Sequence, residues 1–127
     1  MKTKIIFGLV FSVLLVSRVW AHHSFAIYDF ETQIPFDGVV ESVKFRNPHI
    51  ALSLRIVDET GAEKIIEFVE GAPANMLVRS GLKPDMIKPG THIVATGSPL
   101  IEDTSKFFLR TIRLDSGEEF LDLTSTK

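Results

Sequence analysis

The stretch Pro73-Ala74-Asn75-Met76-Leu77-Val78-Arg79-Ser80-Gly81 decides how this sequence folds. Proline is tolerated where a helix begins, because its missing N–H would find no partner there. Met76, Leu77 and Ser80 then recur at helical spacing, and Gly81 stands where a helix ends in left-handed backbone. The flanking sequence reads as strand, so one helix interrupts a β protein.

Upstream, residues 49–57 alternate. Ile50, Leu52, Leu54 and Ile56 lie on one face, with His49, Ala51, Ser53 and Arg55 on the other. Asp58-Glu59-Thr60-Gly61 is a turn, and Glu63 to Val69 is the returning strand of a hairpin. Residues 34–45 form an earlier strand whose apolar residues change face: Ile34, Phe36 and Val40 share one parity, Val39, Val43 and Phe45 the other. A bulge or bend near Gly38 is the economical explanation. Downstream, Lys83 to Ile87 adds a further turn before Lys88-Pro89-Gly90. Strands follow at Thr91 to Gly97 and Lys106 to Leu114, separated by Glu102-Asp103-Thr104-Ser105; Asp115-Ser116-Gly117 makes a last turn before a short tail. Three strands, a helix and two strands predict a mainly β fold, a five-stranded OB-like Greek-key barrel with one helix between strands 3 and 4. The alternative is a small open α+β sheet.

The amino terminus is of another kind. Met1-Lys2-Thr3-Lys4 is basic, Ile5 to Val16 is apolar, and Val19 and Ala21 occupy the two positions a signal peptidase inspects. This predicts a signal peptide over residues 1–21, cleaved to leave a single periplasmic domain over 22–127. The apolar run is too short for a spanning helix, which needs roughly 20 residues, and no second apolar segment follows, so no membrane insertion is expected after cleavage. Without residues 1–21, 11 basic residues face 16 acidic ones, a net charge of −5 with histidines neutral. That balance argues against nucleic acid, which is held by Lys and Arg on phosphates. The chain has no cysteine, so any metal must be bound by histidine, carboxylate or backbone nitrogen.

Cleavage after Ala21 makes His22 the first residue, with His23 next. A terminal histidine offers a free amine and an imidazole together, and a third nitrogen completes a donor set suited to Cu(II). The amine, with an ordinary pKa of about 7.7–8.0, yields its proton to metal near neutrality. The other reading is a polar tail that takes up copper adventitiously. Arg46-Asn47-Pro48-His49 connects strands 1 and 2, a loop that in OB folds borders the ligand face. Pro48 restricts Asn47 to extended backbone, and His49 lies opposite the apolar stripe. Glu70 ends the third strand and can reach the same rim as a ligand or as a partner to one, or can serve the helix entry. The candidate metal ligands are therefore His22, His23, His49 and Glu70. Asp29 and Glu31 are weaker candidates, Phe25 and Tyr28 would anchor the terminal segment, and His92 reads as a surface residue. No catalytic residues are assigned, because no nucleophile–base set, phosphate loop or paired carboxylates can be read.

His22-His23-Ser24-Phe25 after a signal peptide, Gly38-Val39-Val40 and Asn47-Pro48-His49 together resemble a family of exported bacterial proteins catalogued as a domain of unknown function. Glu70-Gly71, Asn75-Met76-Leu77 with Gly81, and Lys88-Pro89-Gly90 extend the resemblance over nearly the whole chain after residue 21. It implies a small periplasmic β-barrel and no established activity. Two departures are Phe68, where the family commonly has tryptophan, and Glu102 to Lys106, where it commonly has a Gly-rich loop. The resulting expectation is a periplasmic binding or accessory domain holding copper through His22, His23 and His49. The alternative is a metal-free OB-type module that grips a peptide, glycan or periplasmic protein partner. A copper-dependent oxidative enzyme ranks behind both.

Overall fold

A computed structural model describes residues 26–121. The elements are β1 (Ile34–Lys44), β2 (Ala51–Val57), β3 (Glu63–Glu70), α1 (Ala74–Arg79), a 3₁₀ turn (Pro84–Ile87), β4 (His92–Pro99), β5 (Lys106–Leu114) and β6 (Glu119–Leu121). β1 pairs with β2 along its second half and with β4 along its first. β2 pairs with β3, and β4 with β5, all antiparallel. A short parallel pairing, Glu67 to Glu70 against Lys106 to Phe108, joins β3 to β5 and closes a five-stranded barrel. The expected OB-like barrel is the fold, and among the described residues its one α-helix lies between strands 3 and 4.

The barrel closes because each strand turns an apolar row inward. Val40, Leu52, Leu54, Phe68, Ile93 and Ile112 are all buried in one cluster. Full burial of each such side chain stabilises by about 1.5–3 kcal/mol. Phe36 meets Phe107 edge-on, with ring centroids 4.8 Å apart, in the tilted geometry aromatic pairs prefer.

The helix ends as its sequence demands. Gly81 takes φ +102°, the Gly81 N–H bonds to Val78 O and the Leu82 N–H to Leu77 O, both at 3.0 Å. This is a Schellman ending, with Leu77 and Leu82 buried on either side of it. Among the described residues no helix is long and apolar enough to cross a membrane.

Two expectations need correction. The bulge in β1 is not at Gly38: Val40 pairs with Leu54 and Ser42 with Ser53, which leaves Glu41 as the extra residue. That insertion is what moves the apolar row from Val40 to Val43. Gly38 serves a different need, close approach, since a Cβ there would lie 2.5 Å from the Arg55 carbonyl oxygen. The tail after Gly117 is also more than a tail. It forms β6, which pairs Phe120 with Ile112 and buries the Phe120 ring in the core.

Candidate functional site

The loop between β1 and β2 is held against the entrance of α1 by four hydrogen bonds. The Ile50 N–H donates to Ala72 O (3.1 Å) and the Ala74 N–H to Arg46 O (3.4 Å). Asn47 Oδ1 accepts the Asn75 N–H at 3.1 Å. Pro73, at the N-cap position, offers no side-chain cap of its own, so Asn47 supplies from a distance what a capping side chain usually supplies locally. The Asn47–Pro48 peptide is cis.

The fourth bond concerns His49. Its Nδ1 lies 3.0 Å from Gly71 O. A carbonyl can only accept, so Nδ1 carries the proton and a neutral ring keeps its lone pair on Nε2. Nε2 stands 3.4 Å from Glu70 Oε1. His49 is 42% exposed and Glu70 19%, so the pair faces solvent from a half-buried seat. The other Glu70 oxygen accepts the Tyr28 hydroxyl at 3.0 Å. Burial, together with that bond and the charge of Glu70, pushes the Tyr28 phenol well above its usual pKa, so it stays a donor.

Tyr28 is fixed by its neighbours on the other side. It bridges to Leu100, the Asp29 N–H donates to Pro99 O (2.9 Å), and the Ile101 N–H to Ile27 O (2.8 Å). Its ring packs edge-on against Phe108 at 5.3 Å. One line of contacts therefore runs from the β4–β5 connection through Tyr28 and Glu70 to His49 and the β1–β2 loop. The segment preceding β1 is anchored at this rim.

Of the four candidate ligands, His49 and Glu70 come together. His22 and His23 lie outside the described residues, as does Phe25. Tyr28 does anchor the terminal segment. Asp29 is committed to a local turn, accepting from the Thr32 hydroxyl and from the Glu31 and Thr32 N–H groups, and the Thr32 hydroxyl bond holds its carboxyl below the usual range. Among the described residues no group of three or more histidines and carboxylates is placed to hold a metal. The His49–Glu70 pair is two donors, not a closed site.

His92 is a surface residue, as its sequence reading has it, but it is also engaged. It is half-exposed, yet Nε2 lies 2.7 Å from Asp37 Oδ1 and Nδ1 2.7 Å from Asp115 Oδ1. Asp37 and Asp115 belong to β1 and to the turn after β5, and only strand register could have brought them together. The partner of Glu70 was equally hidden, because a tyrosine placed as an anchor reveals nothing about where its hydroxyl points.

A family model matches residues 11–106, from inside the apolar run to the first residue of β5; its description is Family of unknown function (DUF6152). The chain belongs to that family. No curated protein and no solved structure matches it. Membership accounts for the unknown-function character that the motifs suggested, and the family's description carries no activity to transfer.

Proposed function

We propose that this barrel is an exported accessory domain that holds Cu(II) with the amine and imidazole of His22, the imidazole of His23 and Nε2 of His49, with Glu70 as a further ligand or as a partner that orients one. The observation that carries the reading is the contact between His49 Nδ1 and Gly71 O. Nδ1 is committed to Gly71 O, so Nε2, 3.4 Å from Glu70 Oε1, is the ring nitrogen left for an ion that Glu70 can share. Metal-bound histidines are held in this way, the outer nitrogen donating to a carbonyl while the inner one faces the ion. Support also comes from Tyr28, whose bond to Glu70 starts the chain at this rim five residues after His23. Five extended residues reach at most about 17 Å, so His22 and His23 have the length to fold back over His49. A donor set of nitrogen and carboxylate without thiolate suits Cu(II) rather than Cu(I).

The test uses protein processed in the periplasm, with intact mass establishing that it begins at His22. Cu(II) titration is expected to raise the melting temperature, because a ligand that engages only the folded state stabilises it. His49→Ala is expected to weaken binding tenfold or more and to change the EPR spectrum. Equal affinity in both proteins with no thermal shift would mean adventitious binding by a His-His terminus, and the reading would fall. A chain starting elsewhere than His22 would remove the amine from the site and overturn the reading as well.

A second reading rests on the outer face of β2 and β3, where Val57 and Ile65 are exposed and Val69 lines a cleft with Ser42, Lys44, Ser53 and Glu67. A metal-free module would use this face for an extended peptide or glycan.

A further inference from the structure

His92 opens β4, pairs across to Val39 of β1, and has a carboxylate on each ring nitrogen. A neutral imidazole has one N–H and one lone pair, so it can satisfy only one of two acceptors. With both contacts at 2.7 Å, the arrangement belongs to the imidazolium. Loss of the ring proton sets a lone pair against a carboxylate oxygen, and one of the two contacts must open.

The fold decides which one. Asp37 sits within β1, paired with Val94 between the neighbouring pairs Phe36–Ala95 and Gly38–Ile93, so its backbone is held by the sheet on that side. Asp115 sits in the turn that leads into β6, which is closed by the Leu114 N–H to Glu118 O and the Gly117 N–H to Leu114 O, both at 2.9 Å. Among the described residues β6 makes three pairs to β5. Of the two backbones that carry the carboxylates, the turn is the less firmly held.

We propose that His92 is a proton-operated latch, which clasps the β5–β6 hairpin to β1 when charged and releases it when neutral. What the latch guards is Phe120. The ring reaches from β6 into the core and lines a small void with Ile50, Leu77, Leu109 and Ile112, between α1 and β5. Release of the turn loosens the strand that seals this side.

The charged groups acting on the ring are Asp115 first and then Asp37, and β4 itself carries no other ionisable residue. Hydrogen bonds to both carboxylates, Asp115 first, raise the His92 pKa above its ordinary 6.5 against the opposing effect of burial. The clasp is therefore fully closed below about pH 6.5 and is lost as pH rises through the folded-state midpoint, which lies above 6.5.

The experiment is a pH titration of the His92 ring by NMR, with amide hydrogen exchange of the β5–β6 hairpin in the same samples. The β2–β3 hairpin serves as the internal reference for base-catalysed exchange. The expected result is a midpoint above 6.5 that falls in both Asp37→Asn and Asp115→Asn. Exchange at residues 118–121 is expected to rise several-fold over the reference as the ring deprotonates, and to be high at every pH in His92→Gln. A midpoint at or below 6.5 would overturn the proposal. So would a constant exchange ratio between the two hairpins across the titration.

Discussion

His49 and His92 both stand beside carboxylate oxygens on the surface of one small barrel, and they are held in opposite ways. His49 gives one nitrogen to a backbone carbonyl and keeps the other beside Glu70. His92 gives both nitrogens to carboxylates and keeps nothing back. The Gly71 carbonyl fixes the proton on His49 Nδ1, and at 3.4 Å Glu70 Oε1 lies beyond a normal hydrogen bond from Nε2, whereas at 2.7 Å the two carboxylates on His92 demand a proton on each nitrogen. The first arrangement leaves a lone pair for an ion. The second makes a site for a proton. Exposure does not separate the two rings, at 42% and 43% of the side chain. The difference lies wholly in what each nitrogen touches.

The largest stability effect that would sharpen this contrast is expected from Tyr28→Phe. It removes the hydroxyl that orients Glu70 and leaves a half-buried carboxylate oxygen without that donor, a loss of about 1.5 kcal/mol. Urea unfolding checks it, and an unchanged midpoint would show that Glu70 needs no such support. Copper comes next. His49→Ala should lose tenfold or more in Cu(II) affinity, about 1.4 kcal/mol per decade, while His92→Ala should keep the wild-type value in the same calorimetric titration. Comparable losses in both variants would erase the distinction between the rings. Asn47→Ala should cost about 1 kcal/mol, the usual price of losing a helix cap, and should weaken copper in proportion to how far the loop carries His49 with it. Thermal melts of apo and copper-loaded protein separate these two contributions. The smallest effect concerns pH. His92→Gln should narrow the gap to wild type as pH is raised from about 6 to about 9, because the wild-type clasp is present only while the ring is charged. Asp37 and Asp115 are 72% and 71% exposed, so solvent screens the clasp and the change in melting temperature will be slight. A gap that widens with pH would reverse the sign and break the assignment.

The barrel was legible because its signals are local. The alternation of residues 49–57 and the frame from Pro73 to Gly81 each report on a few neighbours, and both describe the structure closely. Gly38 was misread for a physical reason. A glycine in a strand can mark a bulge or a close approach, and only the position of Arg55 O distinguishes them. β6 escaped notice because three residues, Glu119-Phe120-Leu121, are too few to display a period. At the rim, His49 and Glu70 could be brought together from the sequence because one lies just before β2 and the other ends β3, and the hairpin brings those ends to one edge. The Asp37–His92–Asp115 contacts could not, since they join residues 78 positions apart (115 − 37) through a register that no local pattern encodes.

The strand pairings also set the order in which this chain can assemble. β1, β2 and β3 follow one another through short connections, so their meander can form as soon as residue 70 is available. The remaining pairings are distant. Ile34 meets Gly97, 63 positions later (97 − 34), and β3 meets its parallel neighbour β5 only when Lys106 to Phe108 arrive. Long closures of this kind cost chain entropy before they return any contact, and they slow folding toward the range of milliseconds to seconds, in order of magnitude. Until β5 arrives, the edge from Glu67 to Glu70 lies bare, with Phe68 upon it. A nascent or truncated chain ending before residue 106 thus presents an open, aromatic strand edge, and the last strands to be made are the ones that protect the protein from its own copies.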